Sequence, residues 1–331
     1  MRDPIRWGIL ATGAIATSFV EDLRLLPDAE VLAVGSRTPA AAAAFAERHG
    51  IPRAYGGWPE LAADPDVDVV YIATPHSAHF AATSICLASG KATLTEKPLT
   101  LDLATSRHLV DLARSAGVFF MEAMWTRCFP AIRQTRQLVA EGVIGEVTSV
   151  QADFGMAGPF PPSSRLVNPA LGGGALLDLG VYPVTLAQLI LGAPDQVSAW
   201  AKLTPDGIDE NTAITLGYAS GALAQLSCSL IGQTPRRASI TGTKGRIDLP
   251  EHFFMPQEYA LVRPEAPAEV VRLPTRGSGY HYEAAEVHRC LRAGLTESPL
   301  VPLDETLAVM ATLDAVRAAI GVRYPLSQTA A

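Results

Sequence analysis

The 331-residue chain predicts an α/β protein of two domains: a doubly wound parallel sheet first, then an α/β domain with a large, open, mainly antiparallel sheet. Three observations carry that expectation. In the first third, short uninterrupted apolar runs alternate with amphipathic stretches, as parallel strands covered on both faces alternate with helices. Beyond about residue 145 the apolar residues fall in period two, the mark of antiparallel strands with one packed face. The length is more than one small core needs and suits two domains of ordinary size. The domains are drawn at 1–122 and 123–331, with the last helix able to pack back on the first.

In chain order, Trp7–Ala11 reads as a buried strand and Ile15–Leu25 as a helix. Val31–Val34 is the next strand, followed by an Ala-rich helix from Pro39 to His49, with Pro39 suited to the first helical turn. Val67–Ala73 is a strand with a continuous apolar centre, and a helix follows over His79–Ser89. Then come a strand at Ala92–Thr95, a helix at Leu101–Ala116 and a strand at Val118–Met121.

In the second half, Ala199, Ala201 and Leu203 share one strand face. Ile214, Leu216 and Tyr218 share another, and Ala224, Leu226, Cys228 and Leu230 a third. Ser220–Gly221 and Thr243–Gly245 read as hairpin turns. The second face of this sheet is open to solvent or to a partner subunit. Tyr282–Ala293 and a helix from a cap at Asp304 to Ile320 close the chain, and the tail Gln328–Ala331 is expected to fray.

A net charge of −7 argues against nucleic acid as a partner, because phosphate binding needs a basic face. Cys86, Cys128, Cys228 and Cys290 are too scattered for a zinc signature or a small disulfide framework. They read as buried thiols in a reducing compartment. The N-terminus shows no apolar signal segment, and no apolar run reaches the roughly 20 residues that span a bilayer. These features predict a cytoplasmic protein with no membrane partner and no metal.

The first strand runs into Ala11-Thr12-Gly13-Ala14-Ile15 and then a helix, the place where backbone N–H groups hold a pyrophosphate. Ala11 replaces the first Gly of the full fingerprint. Gly13 remains to let phosphates approach, and Ala16 is small enough for close packing. At the end of the second strand an NAD site usually carries Asp or Glu for the ribose 2′-hydroxyl. Here stand Ser36 and Arg37, and an Arg there suits a 2′-phosphate, so NADP is preferred over NAD. A solvated turn residue would look the same.

Ligands bind at strand C-termini in such sheets, which draws attention to Thr74, Pro75, His76 and His79, and to Glu96-Lys97-Pro98. His76 and His79 have the spacing of a metal pair but lack a third ligand at a plausible spacing. Lys97 can hydrogen-bond a substrate hydroxyl or supply charge to a neighbouring acid–base, or be a surface Lys in a turn. In Gly172–Pro183 the glycines open a helix, and Asp178 and Tyr182 lie four residues apart on one face. A carboxylate and a phenol so placed suit a proton relay, if a nearby ammonium favours the phenolate. Core packing of Tyr182 is the other reading.

Taken together, these segments resemble the Gfo/Idh/MocA oxidoreductase family, and within it the dimeric dihydrodiol dehydrogenases and NADP-dependent D-xylose 1-dehydrogenases. The resemblance rests on Arg6–Ile9, Glu96–Pro98, Glu122–Arg127, Gly172–Tyr182, Gly242–Gly245, Glu297–Pro302 and Ala319–Val322, and spans nearly the whole chain. It implies a Rossmann domain followed by a domain whose open sheet face makes a homodimer or a higher oligomer. It implies catalytic roles for Lys97 and Tyr182, with Asp178 positioning. Tyr71, His76, His79, Trp125 and Phe154 match positions around nicotinamide and substrate, and Arg165 is a further substrate candidate. Asn168 departs from the Asp that many relatives carry before the three glycines.

The expected reaction moves a hydride between a hydroxyl-bearing carbon of a sugar or cyclic diol and the nicotinamide. Tyr182, assisted by Lys97, takes the hydroxyl proton. The alternatives are a sugar-nucleotide ketoreductase, a redox-cofactor glycosidase, which Arg37 disfavours, and a non-catalytic NADP-binding regulator.

Overall fold

A computed structural model describes residues 4–324. The tail Gln328–Ala331, expected above to fray, lies outside them. The described chain forms two compact units, residues 4–125 with 276–307, and residues 126–275 with 308–324. The expected second domain, 123–331, allowed only its last helix to pack back on the first, whereas by compactness the chain groups with the first unit again from Arg276.

The first unit holds β1 (Ile5–Leu10), α1 (Ala14–Leu23), β2 (Ala29–Gly35), α2 (Pro39–His49), β3 (Arg53–Tyr55) and α3 (Trp58–Ala62). It continues through β4 (Val69–Ile72), α4 (His76–Ala88), β5 (Ala92–Glu96), α5 (Leu103–Ala116) and β6 (Phe120–Ala123). Its six strands run parallel in the order β3-β2-β1-β4-β5-β6. That order reverses between β1 and β4, and the strand C-termini at this switch are where such sheets bind ligands. The strands are apolar throughout because helices cover both faces: all four residues of β4 are buried. Trp7, Phe19 and Tyr71 are among the largest fully buried side chains, each contributing roughly 1.5–3 kcal/mol by leaving water.

Local signals set the helix ends. Pro39 opens α2 behind a Thr38 cap that accepts the Ala41 N–H, and Gly50 closes it in the left-handed region. Asp102 caps α5 through the Thr105 N–H. α4 begins at His76, three residues before the expected start, so both histidines lie in its first turns. β3 and α3 were not expected; with three and five residues they are too short to show a period.

The returning segment carries α8 (Tyr280–Arg292). Asp22 of α1 caps it, its two carboxylate oxygens accepting the N–H groups of Ser278, Gly279 and Tyr280 at 2.9, 2.6 and 2.8 Å. The Trp7 indole N–H donates to His288 Nε2 of the same helix at 2.9 Å. These bonds are why α8 belongs to the first unit. α9 (Leu303–Ile320) is shared, its first residues grouping with the first unit and the rest with the second. Asp304 lies inside its first turn and is not its cap, as the sequence had suggested.

The second unit holds α6 (Pro130–Ala140), β7 (Val147–Gly155), α7 (Val181–Leu191), β8 (Gln196–Leu203), β9 (Asp209–Gly217) and β10 (Leu223–Ser229). β11 (Ala238–Gly242), β12 (Gly245–Leu249), β13 (Glu258–Val262) and β14 (Glu269–Arg272) complete it. Its eight strands are ordered β14-β13-β12-β11-β7-β10-β9-β8, antiparallel except for the β7–β10 pair. Both expected hairpin turns are present: Gly221 adopts a left-handed φ between β9 and β10, and Gly242 pairs with Gly245 across Thr243 and Lys244. Val150, Ala152, Phe154, Ile214, Leu216, Ala224, Leu226, Ile240 and Ile247 fill the packed face. Leu203, expected there, lies beyond a register shift at Lys202 and is exposed. The opposite face displays Trp200, 71% exposed, and Leu223.

One stretch differs from the sequence expectation for membranes. Residues 169–191, helical apart from 172–174, are apolar over a length that could cross a bilayer. The most apolar window of that stretch is 83% buried within the fold, as in a core helix.

Candidate active site

The first unit gathers its candidate groups at the C-termini of β1, β2, β4 and β5. β1 passes through Ala11, held at φ 109°, a region that L-residues rarely adopt and where the fuller fingerprint has Gly. Gly13 is the N-cap of α1, and no side chain caps that helix or places an acid in its first turn. A Cβ on Gly13 would meet nothing within 4 Å. An uncapped helix N-terminus with open space before it fits a pyrophosphate. Thr12, Ala14 and Ile15 complete this loop. Ser36 is buried at the end of β2, with its N–H on the Tyr55 carbonyl. Arg37 beside it is exposed and has no ion-pair partner among the described residues. The Thr74 hydroxyl is buried without a hydrogen-bond partner among them, before Pro75, the N-cap of α4. These features fit a dinucleotide with a 2′-phosphate.

Three expected ligand contacts, Tyr71, His79 and Glu96, are buried. Tyr71 is fully buried, stacks on Phe19 at 3.8 Å and donates its hydroxyl to Glu96 Oε1 at 2.5 Å. Burial, and then the Glu96 charge, push its pKa far up. Tyr71 therefore orients Glu96 from the core. His79 is also fully buried, its Nδ1 and Nε2 each 2.9 Å from a carbonyl oxygen, of Pro98 and Thr74. It ties the end of β4 to the segment after β5. Glu96 accepts from Tyr71 and from the Lys97 backbone N–H, so the chain's own donors orient it. His76 packs edge-on against His79 at 5.6 Å. Lys97 is buried at the end of β5, and Trp125 stacks on Tyr280 at 4.3 Å. Among the described residues no three His, Cys, Asp or Glu are grouped to hold a metal.

The second unit builds the Asp178–Tyr182 turn. Asn168 Oδ1 accepts the Ala170 N–H, so the residue that departs from the family Asp acts as a local cap. Gly174 has φ 129°, and a Cβ there would lie 2.5 Å from Asp209 Oδ1, so this position requires glycine. Asp209 is buried and accepts the Leu176 N–H and the Thr212 hydroxyl, both at 2.7 Å, which anchors the start of the helix. The turn from Leu176 to Gly180 is a π-helix, and α7 continues from Val181. A π turn within a helix recurs at functional sites.

Asp178 is ion-paired with Arg165 at 2.7 Å, with side-chain exposures of 4% and 48% respectively. This assigns Arg165 a partner that the sequence reading left open. The Tyr182 ring is flanked by Phe154 at 5.5 Å and Phe254 at 5.3 Å, and these two stack on each other at 4.2 Å. Phe254 was missed: it lies in a loop 100 residues after Phe154 and has no periodic signal. The structure thus brings Asp178, Tyr182, Arg165 and Phe154 together in one unit, and Glu96, Lys97, Tyr71, His76 and His79 in the other.

Fold and site define a dinucleotide-binding oxidoreductase. Residues 5–124 match the model of the oxidoreductase family with the NAD-binding Rossmann fold, and residues 132–248 that of the GFO/IDH/MocA C-terminal domain. The chain belongs to the Gfo/Idh/MocA family and is an NAD(P)-dependent oxidoreductase acting on CH–OH groups. It is 40% identical to trans-1,2-dihydrobenzene-1,2-diol dehydrogenase of Bos taurus, over 97% of this chain and 98% of that one. The Homo sapiens enzyme of that name is 39% identical, with the same two coverages. Among solved structures, a 3-ketoreductase from Actinomadura kijaniata, in complex with NADP and TDP-benzene, superposes with a TM-score of 0.86. It is 31% identical and covers 96% of this chain and 98% of that one.

Proposed function

We propose that this enzyme oxidises a hydroxyl-bearing ring carbon of a cyclic diol or an aldose, with NADP preferred to NAD. The observation that carries the proposal is the turn bearing Asp178 and Tyr182. It places a buried carboxylate and a phenol on one helix, beside stacked aromatic rings. Aromatic faces suit the C–H surface of a ring substrate.

In this reading Tyr182 takes the hydroxyl proton. Asp178, held by Arg165, positions it. Lys97 supplies the positive charge that favours the phenolate. Ala11, Thr12, Gly13, Ala14 and Ile15 hold the pyrophosphate, and Arg37 with Ser36 holds the 2′-phosphate. Thr74, Pro75 and His76 face the cofactor, and Trp125 and Phe154 the substrate. When bound, NADP supplies the hydride acceptor. The relatives' names and the Asp178–Tyr182 turn beside stacked aromatic rings support this reading. A cytoplasmic location and a homodimer through the open sheet face belong to it as well.

Lys97→Met is expected to abolish turnover of a diol and aldose panel, followed by absorbance of the reduced nicotinamide, while NADP binding persists. Full activity in that variant would falsify the assignment. The likeness to the 3-ketoreductase favours one second reading, a nucleotide-sugar ketoreductase. Turnover confined to nucleoside diphosphate sugars in the same panel would establish it.

A further inference from the structure

We propose that Glu283 is the neutral, proton-carrying partner of Glu96, and that the two carboxyls together hold one negative charge behind Lys97. The observation is an anomaly in the core of the first unit. Glu283, in the first turn of α8, is 0% exposed, and neither of its carboxyl oxygens meets a hydrogen-bond donor among the described residues.

Every neighbouring acid is supplied with donors. Asp22 takes three backbone N–H groups. Glu122 takes the Leu99 N–H and the Thr306 hydroxyl. Glu96 takes the Tyr71 hydroxyl and the Lys97 N–H. A carboxylate buried without donors is costly, and such a group neutralises instead. Neighbouring carboxyls in a site of low dielectric do not all ionise. Glu96 has the donors that suit an anion and Glu283 has none, so the proton resides on Glu283.

The groups that act on Glu283 come from four elements. Glu96 lies at the end of β5, Asp22 on α1 and Glu122 on β6, all acidic, and the charge of Glu283 acts on Tyr71 of β4. On its own helix Tyr280 also acts on Tyr71, and His281 Nδ1 lies 3.6 Å from Asp22. Burial first, and then the charges of Glu96, Asp22 and Glu122, push the Glu283 carboxyl well above the usual range. Loss of that proton at alkaline pH would put a second charge where no donor answers it. The cheapest relief is a shift of Glu96, which also accepts the backbone N–H of Lys97. Glu283 is thus a positioning residue for Lys97.

The pairing stands on the burial of Glu283, its lack of donors and the charge of Glu96 acting on it, and its effect on turnover rests on the catalytic role proposed for Lys97. The test compares the infrared carboxyl bands of wild type and E283Q, both with NADP bound. Wild type at neutral pH is expected to show a protonated-carboxyl band that E283Q lacks. No such difference overturns the pairing. Turnover is then followed against pH. In wild type it falls at alkaline pH, and in E283Q that fall moves up by about one unit or more. An unmoved alkaline limb overturns the link to Lys97.

Should E283Q fail to fold, E283L, an apolar side chain of similar size, serves both measurements. Lys97→Met separates the two readings, because it leaves the infrared band in place whatever happens to turnover.

Discussion

Ala11 sits at φ 109° where the pyrophosphate loop leaves β1, and that backbone costs an alanine what it would not cost a glycine. Ala11→Gly is expected to raise stability on the order of 1 kcal/mol, read from denaturant midpoints at constant slope. Arg37 gives a second residue-scale expectation. Arg37→Asp should reverse the cofactor preference by repelling the 2′-phosphate, measured as the ratio of kcat/KM with NADP and NAD. A ratio that does not change would make Arg37 a surface residue only. That Ala11, Gly13, Arg37 and Lys97 lie at strand ends, and Asp178 and Tyr182 one helical turn apart, was legible from the apolar runs and the spacing. Tyr71 and His79 were legible only as candidates. The Tyr71 bond to Glu96 and the paired carbonyls around His79 depend on contacts between separate strands, and no local pattern encodes them. Phe254 and Glu283 escaped for the same reason.

Five of the six parallel strands were legible because each is a short, largely apolar run between helices. β3 and α3 were not, since Gly56, Gly57 and Pro59 break up any period. The π turn before α7 was also hidden, because Asp178 and Tyr182 keep the same spacing in an α-helix. At the opposite end of the parallel sheet from the cofactor loop, Arg53 at the start of β3 binds Asp64 at 2.7 Å and Asp66 at 2.8 Å, and the Tyr55 hydroxyl donates to Asp64.

Burial pushes Asp64 up, but Arg53, the Asp66 N–H and Tyr55 outweigh it, so its pKa falls below the usual range. Arg53 and Arg6 bring Asp66 down to about 2. Depressed carboxylate values mean stability that is present above the ordinary range and is lost as pH falls towards about 2. Asp64→Asn should flatten the acid side of a plot of Tm against pH; an unchanged slope would show that this cluster does not set it. Asp22→Ala removes the acceptor for three N–H groups at the start of α8 and should cost about 2 kcal/mol. Chemical denaturation measures that loss.

At the scale of the molecule, the second unit's sheet packs one face and leaves Trp200 and Leu223 displayed on the other. The alternation was legible in the sequence; which partner covers that face was not, because a solvated face and an interface share one pattern. If two chains meet there, Trp200→Glu should give a folded monomer by sedimentation equilibrium. A dimer that persists would place the interface elsewhere.

The first unit's discontinuity has a consequence for synthesis. Asp22 and Trp7 are made early, yet the groups they bond, the N–H groups of residues 278–280 and the His288 ring, are made last. A ribosome releasing this chain holds an unfinished dinucleotide-binding core while the whole intervening sheet emerges. The nascent N-terminal third therefore lacks the partners of Trp7 and Asp22 until α8 has been synthesised.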